Sequence, residues 1–373
     1  MTPHRSGAAL VLAVFVLMAL GTTSLGLLYV STQEVLIARA GEESTRARWA
    51  AESAVRATLA NWSTRRVLTL GPGDEVVSTV AEQGVRVTIA RLDGKLFLVT
   101  ATASAAGARG AAAALVRVVR PEEVWSSFDA ALSTRESPEI EPGVVVTAAD
   151  VGLAPPPWAA ESCPDEAVRA MVDALDGRAP AAVSAPGGLP ADTADEWRPV
   201  ATPAPWDPAD GAHARVGPFA LRDMAALADL VVSGDVRPAP SAPAGACDTA
   251  AAANWGAPLD PTGPCGDYFP VIFAPDGLHV TGGAGQGILI VDGDLILSGD
   301  AQFFGSVVVT GALVIRDRAA VFGAVKMLGE MPARLQDEAR VDYRACSLWR
   351  AFTGASALDQ AFAPAGRLWV PAW

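Results

Sequence analysis

The sequence predicts an α+β, mainly β chain. A long N-terminal helix begins as a membrane span and continues to a short antiparallel sheet, followed by a β-solenoid head that carries a helical, Pro-rich insertion. Three observations predict it. Residues Ala8 to Val30, AALVLAVFVLMALGTTSLGLLYV, contain no charged side chain. An apolar stripe with helical spacing then runs on to Trp62. Far along the chain, glycine-punctuated apolar runs repeat at an offset of eighteen residues.

The apolar segment is long enough, at about 1.5 Å per residue, to make a helix of roughly 34 Å and cross the hydrocarbon core of a bilayer. The residues before it carry His4 and Arg5, and its distal flank mixes Glu34, Arg39, Glu42 and Glu43. A short basic end stays cytoplasmic, which places the remainder outside the inner membrane. A cleaved secretory signal is the competing reading, and Ala38-Arg39-Ala40 mimics its cleavage site. Against it, such a signal has an apolar region of about 7–15 residues with the cleavage site close behind, whereas here Gln33 and Glu34 intervene. Val35, Leu36, Ala40, Ala47, Ala51, Ala54, Val55, Leu59 and Trp62 continue the stripe, with Glu42/Arg46 and Glu52/Arg56 as i,i+4 pairs. One helix therefore starts in lipid and ends in water.

The run Arg5-Ser6-Gly7-Ala8-Ala9-Leu10-Val11-Leu12, with Trp49-Ala50-Ala51-Glu52-Ser53-Ala54 beyond the span, resembles the N-terminus of PilX-type minor pilins, which take part in type IV pilus assembly. In that class a glycine ends a short basic leader, and a glutamate lies five residues into the mature chain. The resemblance implies a leader of residues 1–7 and processing by a prepilin peptidase between Gly7 and Ala8. It also implies other pilin or minor-pilin subunits and the inner membrane as partners. The fifth residue after Gly7 is Leu12, so the glutamate is missing. A carboxylate in lipid is expensive and persists only where assembly supplies a partner. A chain without it fits a pilus tip or an initiator of assembly.

A chain of 373 residues has room for two or three domains. Its net charge of −13 and the absence of a basic stripe argue against nucleic acid as a partner. Lys95 and Lys326 are the two lysines among 28 basic residues, a bias of coding rather than of chemistry. The four cysteines, Cys163, Cys247, Cys265 and Cys346, all fall in the part placed outside the cytoplasm. An even count there favours disulfides, and four cysteines allow three pairings. Cys247 with Cys265 is the first choice, because both lie in a Pro/Gly/Ala-rich loop. A zinc site lacks both C-x-x-C spacing and a nearby histidine.

After the helix, Gly71-Pro72-Gly73 breaks the pattern. Val85, Val87 and Ile89 alternate with Arg86 and Thr88, Asp93-Gly94 forms a hairpin turn, Lys95 to Thr102 returns, and a third strand follows near Ala113 to Val119. Residues 31–120 thus read as helix extension plus meander, and 121–153 as the start of a β domain. Residues 154–269 read as an insertion with helices at Asp165 to Asp176 and at Pro218 to Val232.

In 270–330, Gly287-Ile288-Leu289-Ile290-Val291-Asp292-Gly293-Asp294-Leu295 aligns with Gly305-Ser306-Val307-Val308-Val309-Thr310-Gly311-Ala312-Leu313, and Phe304 with Phe322. Short strands at this period, punctuated by glycine, suit stacked coils, with Phe304 and Phe322 as a ladder. An antiparallel meander of equal hairpins is the alternative. Residues 331–373 read as a C-terminal cap. The runs Asn254-Trp255-Gly256, Pro264-Cys265, Tyr268-Phe269-Pro270 and Gly285 to Leu295 are similar to the β-helical C-terminal region of PilX-like proteins and, distantly, to bactofilin-type scaffolds. That likeness implies a structural, surface-exposed or polymerising module.

Few residue patterns in the chain carry chemistry. Asp276, Asp292, Asp294, Asp300 and Asp317 could act as acid and base or bind calcium, but aspartate beside glycine is ordinary turn chemistry. Gly282-Gly283-Ala284-Gly285-Gln286-Gly287 misses the phosphate-loop and dinucleotide spacings, and a strand follows it. His213 and His279 have no acidic or nucleophilic neighbour at a telling spacing, and an oriented triad would have to be built from distant residues. Trp158, Trp197, Trp206 and Trp255 read as anchors of long loops before contacts for a carbohydrate or a subunit. No catalytic, metal or cofactor-binding residue is assigned. The expectation is a non-enzymatic, single-pass structural protein, minor pilin-like, with its C-terminal part periplasmic or extracellular. A membrane-tethered β-helix enzyme acting on polysaccharide is the reading of a different class.

Overall fold

The structure, a computed structural model, describes residues 6–80, 84–105, 107–119, 121–148, 180–185, 215–359 and 362–368, together with Pro155, Trp158, Arg169 and Leu175. It divides into two compact units, one holding the long helix and an antiparallel sheet, the other most of residues 118–362.

In the first unit, helix α1 (Ser6–Ala60) runs unbroken for 55 residues. Its interior has no proline to remove a backbone donor, and the i,i+4 pairs Glu42–Arg46 (2.8 Å) and Glu52–Arg56 (3.9 Å) form as the sequence predicts. From Leu10 to Glu42 every side chain is exposed, and the stripe becomes covered only at Ala47, Ala51 and Val55. Val35, Leu36 and Ala40, predicted to share the covered stripe, remain bare because the sheet begins one turn further on.

That sheet has the order β1 (Glu75–Val80), β2 (Val85–Arg91), β3 (Leu96–Ala105), β4 (Ala108–Val118) and then the strand Phe362–Leu368. β1 to β4 pair antiparallel. The predicted hairpin closes at Asp93-Gly94, where the Gly94 N–H donates to Asp93 Oδ1 (2.6 Å). β1 and the distant fifth strand were not anticipated. Phe97 and Val99 are fully buried, and Trp62 packs edge-on against Phe97 with ring centres 5.7 Å apart. The approach of sheet to helix is closest at Gly110, where a Cβ would lie 2.4 Å from the Ala47 carbonyl carbon and the Arg48 nitrogen.

The second unit is built on parallel ladders. Its strands are β5 (Ala130–Ser133), β6 (Glu139–Ile140), β7 (Val145–Thr147), β8 (Ala181–Ser184), β9 (Leu230–Val231) and β10 (Gly234–Val236). There follow β11 (Val271–Ala274), β12 (Leu278–Val280), β13 (Ala284–Val291), β14 (Leu295–Leu297) and β15 (Gln302–Val309). The last are β16 (Leu313–Ile315), β17 (Ala320–Met327), β18 (Ala333–Leu335) and β19 (Arg340–Asp342). One sheet has the order β10-β12-β14-β16-β18-β6, the other β7-β19-β17-β15-β13-β11-β9.

The chain alternates between the two sheets, and each circuit adds one strand to each. Ala284 pairs with Gln302, Gln302 with Ala320, and Leu295 with Leu313, all at the predicted offset of eighteen and all parallel. The antiparallel alternative is therefore not what forms. Flanking circuits differ in length, seventeen residues from Val271 to Ile288 and twenty from Leu313 to Ala333.

Strands β13, β15 and β17 are buried almost throughout, which accounts for unbroken runs such as Ile288-Leu289-Ile290-Val291. β12, β14 and β16 alternate buried and half-buried, leaving one face to solvent. Gly287, Gly305 and Gly323 lie in register with φ of 112°, 140° and 153°. A Cβ on Gly323 would stand 1.8 Å from the Gly305 carbonyl oxygen, so this column admits no side chain. Phe304 and Phe322 stack as predicted, with ring centres 4.8 Å apart, and Trp158 stacks on Phe304 at 5.7 Å.

The first strands of this unit in sequence sit beside the last. β5 pairs with the second half of β17, β6 with β18 and β7 with β19, so residues 130–147 form a circuit laid on the last ones, and β8 pairs in parallel with the outer edge of β5. At the opposite end lie β9 and β10. The helix predicted at Pro218 to Val232 shrinks to α2 (Leu221–Ala225), anchored by buried Met224. Beyond it Leu230 and Val231 pair with Ile272 and Phe273, and the Asp229 carboxylate accepts the Val271 N–H (2.8 Å), so ladder bonds replace helical ones. Strands also continue past residue 330 to Asp342. The helix predicted at Asp165 to Asp176 lies outside the described residues apart from Arg169 and Leu175. Helix α3 (Ala345–Gly354) packs over β13, β15 and β17.

Candidate functional site

Two features stand apart from ordinary packing. The first is the apolar half of α1, the one helix among the described residues long and apolar enough to cross a membrane. None of its span is buried, and Leu10, Phe15, Leu17, Leu27 and Leu28 each expose more than 60% of their surface. Gly7 and Ala8 lie in its first turn, and Leu12, where a pilin-type glutamate would stand, is exposed.

The second feature lies on the open face of the β10-β12-β14 sheet. Asp235 and His279 are direct partners in adjacent strands, and Ser298 follows the last residue of β14. His279 Nδ1 is 3.2 Å from Asp235 Oδ1, and His279 Nε2 is 2.8 Å from Ser298 Oγ. Nδ1–H donating to the carboxylate leaves Nε2 to accept from the serine hydroxyl, an orientation that prepares a serine for nucleophilic attack. A longer contact of 3.4 Å to the Val280 carbonyl is the hydroxyl's other acceptor. Sequence reasoning missed this set because its members are 44 and 19 residues apart in the chain. The one available signal was the circuit length, which brings His279 near Ser298, while the 44-residue step between the partners Asp235 and His279 hid the carboxylate.

Three of the five acidic residues singled out by sequence serve the turns and the contacts between circuits. Thr310 Oγ1 donates to Asp292 Oδ1 (2.9 Å), and the Ala312 N–H donates to Asp294 Oδ1 (2.7 Å). Asp300 pairs with Arg318 (2.8 Å) one circuit on. Among the described residues no cluster of three or more His, Cys, Asp or Glu is placed to hold a metal ion. Gly282 and Gly283 form a corner, and Ala284 to Gly287 are the first residues of β13, so the run is not followed by a helix N-terminus that would cradle a phosphate.

Cys247 and Cys265 form a disulfide, the pairing put first from sequence. Cys346 is also disulfide-bonded, and Cys163 lies outside the described residues. The loop carrying the first bridge is pinned from both sides. Buried Asn254 donates Nδ2 to the Asp248 carbonyl (2.7 Å), and buried Gln286 donates Nε2 to the carbonyls of Gly266 and Tyr268 (both 2.9 Å). In the same region burial, then the negative charges of Asp229 and Asp248, push the Tyr268 hydroxyl up to about 12.

Trp158 and Trp255 are buried and anchor their loops; Trp197 and Trp206 lie outside the described residues. Arg350 lies over the rings of Trp158 (4.7 Å) and Phe269 (4.9 Å) and bonds Asp267 (2.7 Å), while burial lowers its pKa from the usual guanidinium range. Compared with family models, curated proteins and solved structures, the chain matches none of them.

Proposed function

We propose that this protein is a single-pass, membrane-anchored structural subunit of the type IV pilus class, a PilX-like minor pilin carrying a β-solenoid head outside the cytoplasm. The observation that carries this reading is the division of α1 into a bare apolar half and a covered half without a break. A simple anchor needs no extension beyond the membrane. A helix that leaves lipid and becomes the core of its own small domain can withdraw from the bilayer and pack with similar helices. The parallel circuits of seventeen to twenty residues support the solenoid head, whose sheets would be displayed at a pilus tip or surface.

The test is mass spectrometry of the mature N-terminus in the native host, combined with membrane fractionation. A chain beginning at Ala8 in the membrane or sheared-pilus fraction supports pilin processing. An intact Met1 confined to the membrane makes α1 a fixed anchor. A chain beginning at Gly41 in the soluble fraction overturns the assembly reading altogether.

A further inference from the structure

We propose that Ser298, His279 and Asp235 form a nucleophile, base and orienting carboxylate that hydrolyse carboxylic esters of small acyl groups presented to the open face of the parallel stack. Three successive circuits contribute one residue each: Asp235 lies in β10, His279 in β12, and Ser298 directly follows β14. In the tautomer that carries its proton on Nδ1, the hydrogen-bond chain has the polarity that acyl transfer requires, carboxylate to Nδ1–H and Nε2 to hydroxyl, at 3.2 and 2.8 Å. Asp235 and His279 are not needed to fill the core, because this sheet alternates and both face outward, whereas Ser298 is buried beside them.

The surroundings fit the chemistry. Gly282 and Gly299 flank the serine with φ of 116° and 61°, and their backbones meet so closely that a Cβ on Gly282 would lie 2.6 Å from the Gly299 carbonyl oxygen. Among the described residues the amide groups of these glycines donate to no backbone acceptor, and they are the donors assigned to the oxyanion. The Arg237 guanidinium carbon lies 3.8 Å from that same Cβ position, placing a positive charge beside the site. Ser298 is only 6% exposed, so the acyl group proposed is a small one. The half-exposed face around it leaves the alcohol side of the ester free to belong to a large molecule.

In the reaction, Ser298 Oγ bonds to the ester carbonyl carbon as its proton passes to His279 Nε2. Collapse of the adduct breaks the carbon–oxygen bond to the alcohol, which leaves with that proton. Water then attacks the acyl-serine, giving a proton to His279, and the acid departs as the proton returns to Ser298. Asp235, whose carboxylate is largely exposed, does not touch the reacting atoms and acts as a positioning residue for the imidazole.

The test uses the full-length chain in detergent with a fluorophosphonate probe and p-nitrophenyl acetate as the ester. Peptide mapping of the wild-type protein is expected to place the probe on Ser298. His279→Gln should lower the rate of labelling and of ester hydrolysis by roughly 10²–10⁴-fold, the usual contribution of a positioned base. Asp235→Asn should reduce kcat with KM little changed, an effect that a purely structural role would not produce. Thermal melts of each variant separate loss of fold from loss of chemistry, and the wild-type mapping needs no variant. Absence of a Ser298 adduct on the folded protein, or hydrolysis unchanged in a folded Ser298→Ala protein, overturns the proposal.

Discussion

Replacing Phe304 tests the register of the parallel ladder most directly. The ring is wholly buried between Phe322, 4.8 Å away, and Trp158, 5.7 Å away. Truncation to alanine removes a buried phenylalanine and leaves a cavity, at a cost of about 3–5 kcal/mol. Phe322 is only partly buried, so Phe322→Ala should cost less, about 1.5–3 kcal/mol. Because the rings stack, the double variant should be less destabilised than the two losses combined, by about 0.5–1.5 kcal/mol for the aromatic contact. The assay is equilibrium urea unfolding of all four proteins followed by far-UV circular dichroism, with the coupling taken from the double-mutant cycle. An interaction energy below about 0.3 kcal/mol, the limit within which distant sites add, would refute contact between residues eighteen apart and with it the stacked register.

Two further predictions concern backbone approach and ionisation. Gly110→Ala forces a Cβ to within 2.4 Å of the α1 backbone, which no side-chain rotation relieves, and should destabilise the first unit by about 1–3 kcal/mol or more. Gly41→Ala, with nothing within 4 Å of its added Cβ, should be neutral or stabilising by up to about 1 kcal/mol; thermal melts distinguish the two. Tyr268 and buried Tyr343 both have hydroxyl pKa values raised from the usual 10, the first to about 12. Folding therefore favours the neutral phenol. Its contribution is complete below pH 10 and is lost as pH rises towards 12, and Tyr268→Phe should flatten that part of the stability profile measured by urea titration.

The parts legible in the sequence were those whose chemistry repeats locally. Ala47, Ala51 and Val55 recur at helical spacing, Val85, Val87 and Ile89 alternate, and the columns at Gly287/Gly305/Gly323 and Phe304/Phe322 announce a period because each circuit there has equal length. Unequal circuits hid the rest. A seventeen-residue step before Ile288 and a twenty-residue step before Ala333 break any fixed-offset alignment. The strand Leu230–Val231 was absorbed into a helical pattern because Leu221, Met224, Ala225 and Ala228 continue into it at helical spacing, and only the pairing with Ile272 and Phe273 decides otherwise. The Asp235–His279–Ser298 set was invisible for the same reason: proximity there is created by stacking and not by spacing that a motif records.

The circuit of residues 130–147 has a consequence for the order in which this protein can be made. Glu139 bonds Arg334, a partner 195 residues further along. At a synthesis rate of about 5–20 residues per second, that partner follows some 10–40 s later. Strands β6 and β7 must therefore wait for these ladder partners while the middle circuits build outward, whereas β5 meets β8 much sooner, and the stack is completed only when β18 and β19 return to the early segment. Until then the edge of the last circuit is an open template, the state in which such a chain is most exposed to pairing with a neighbour.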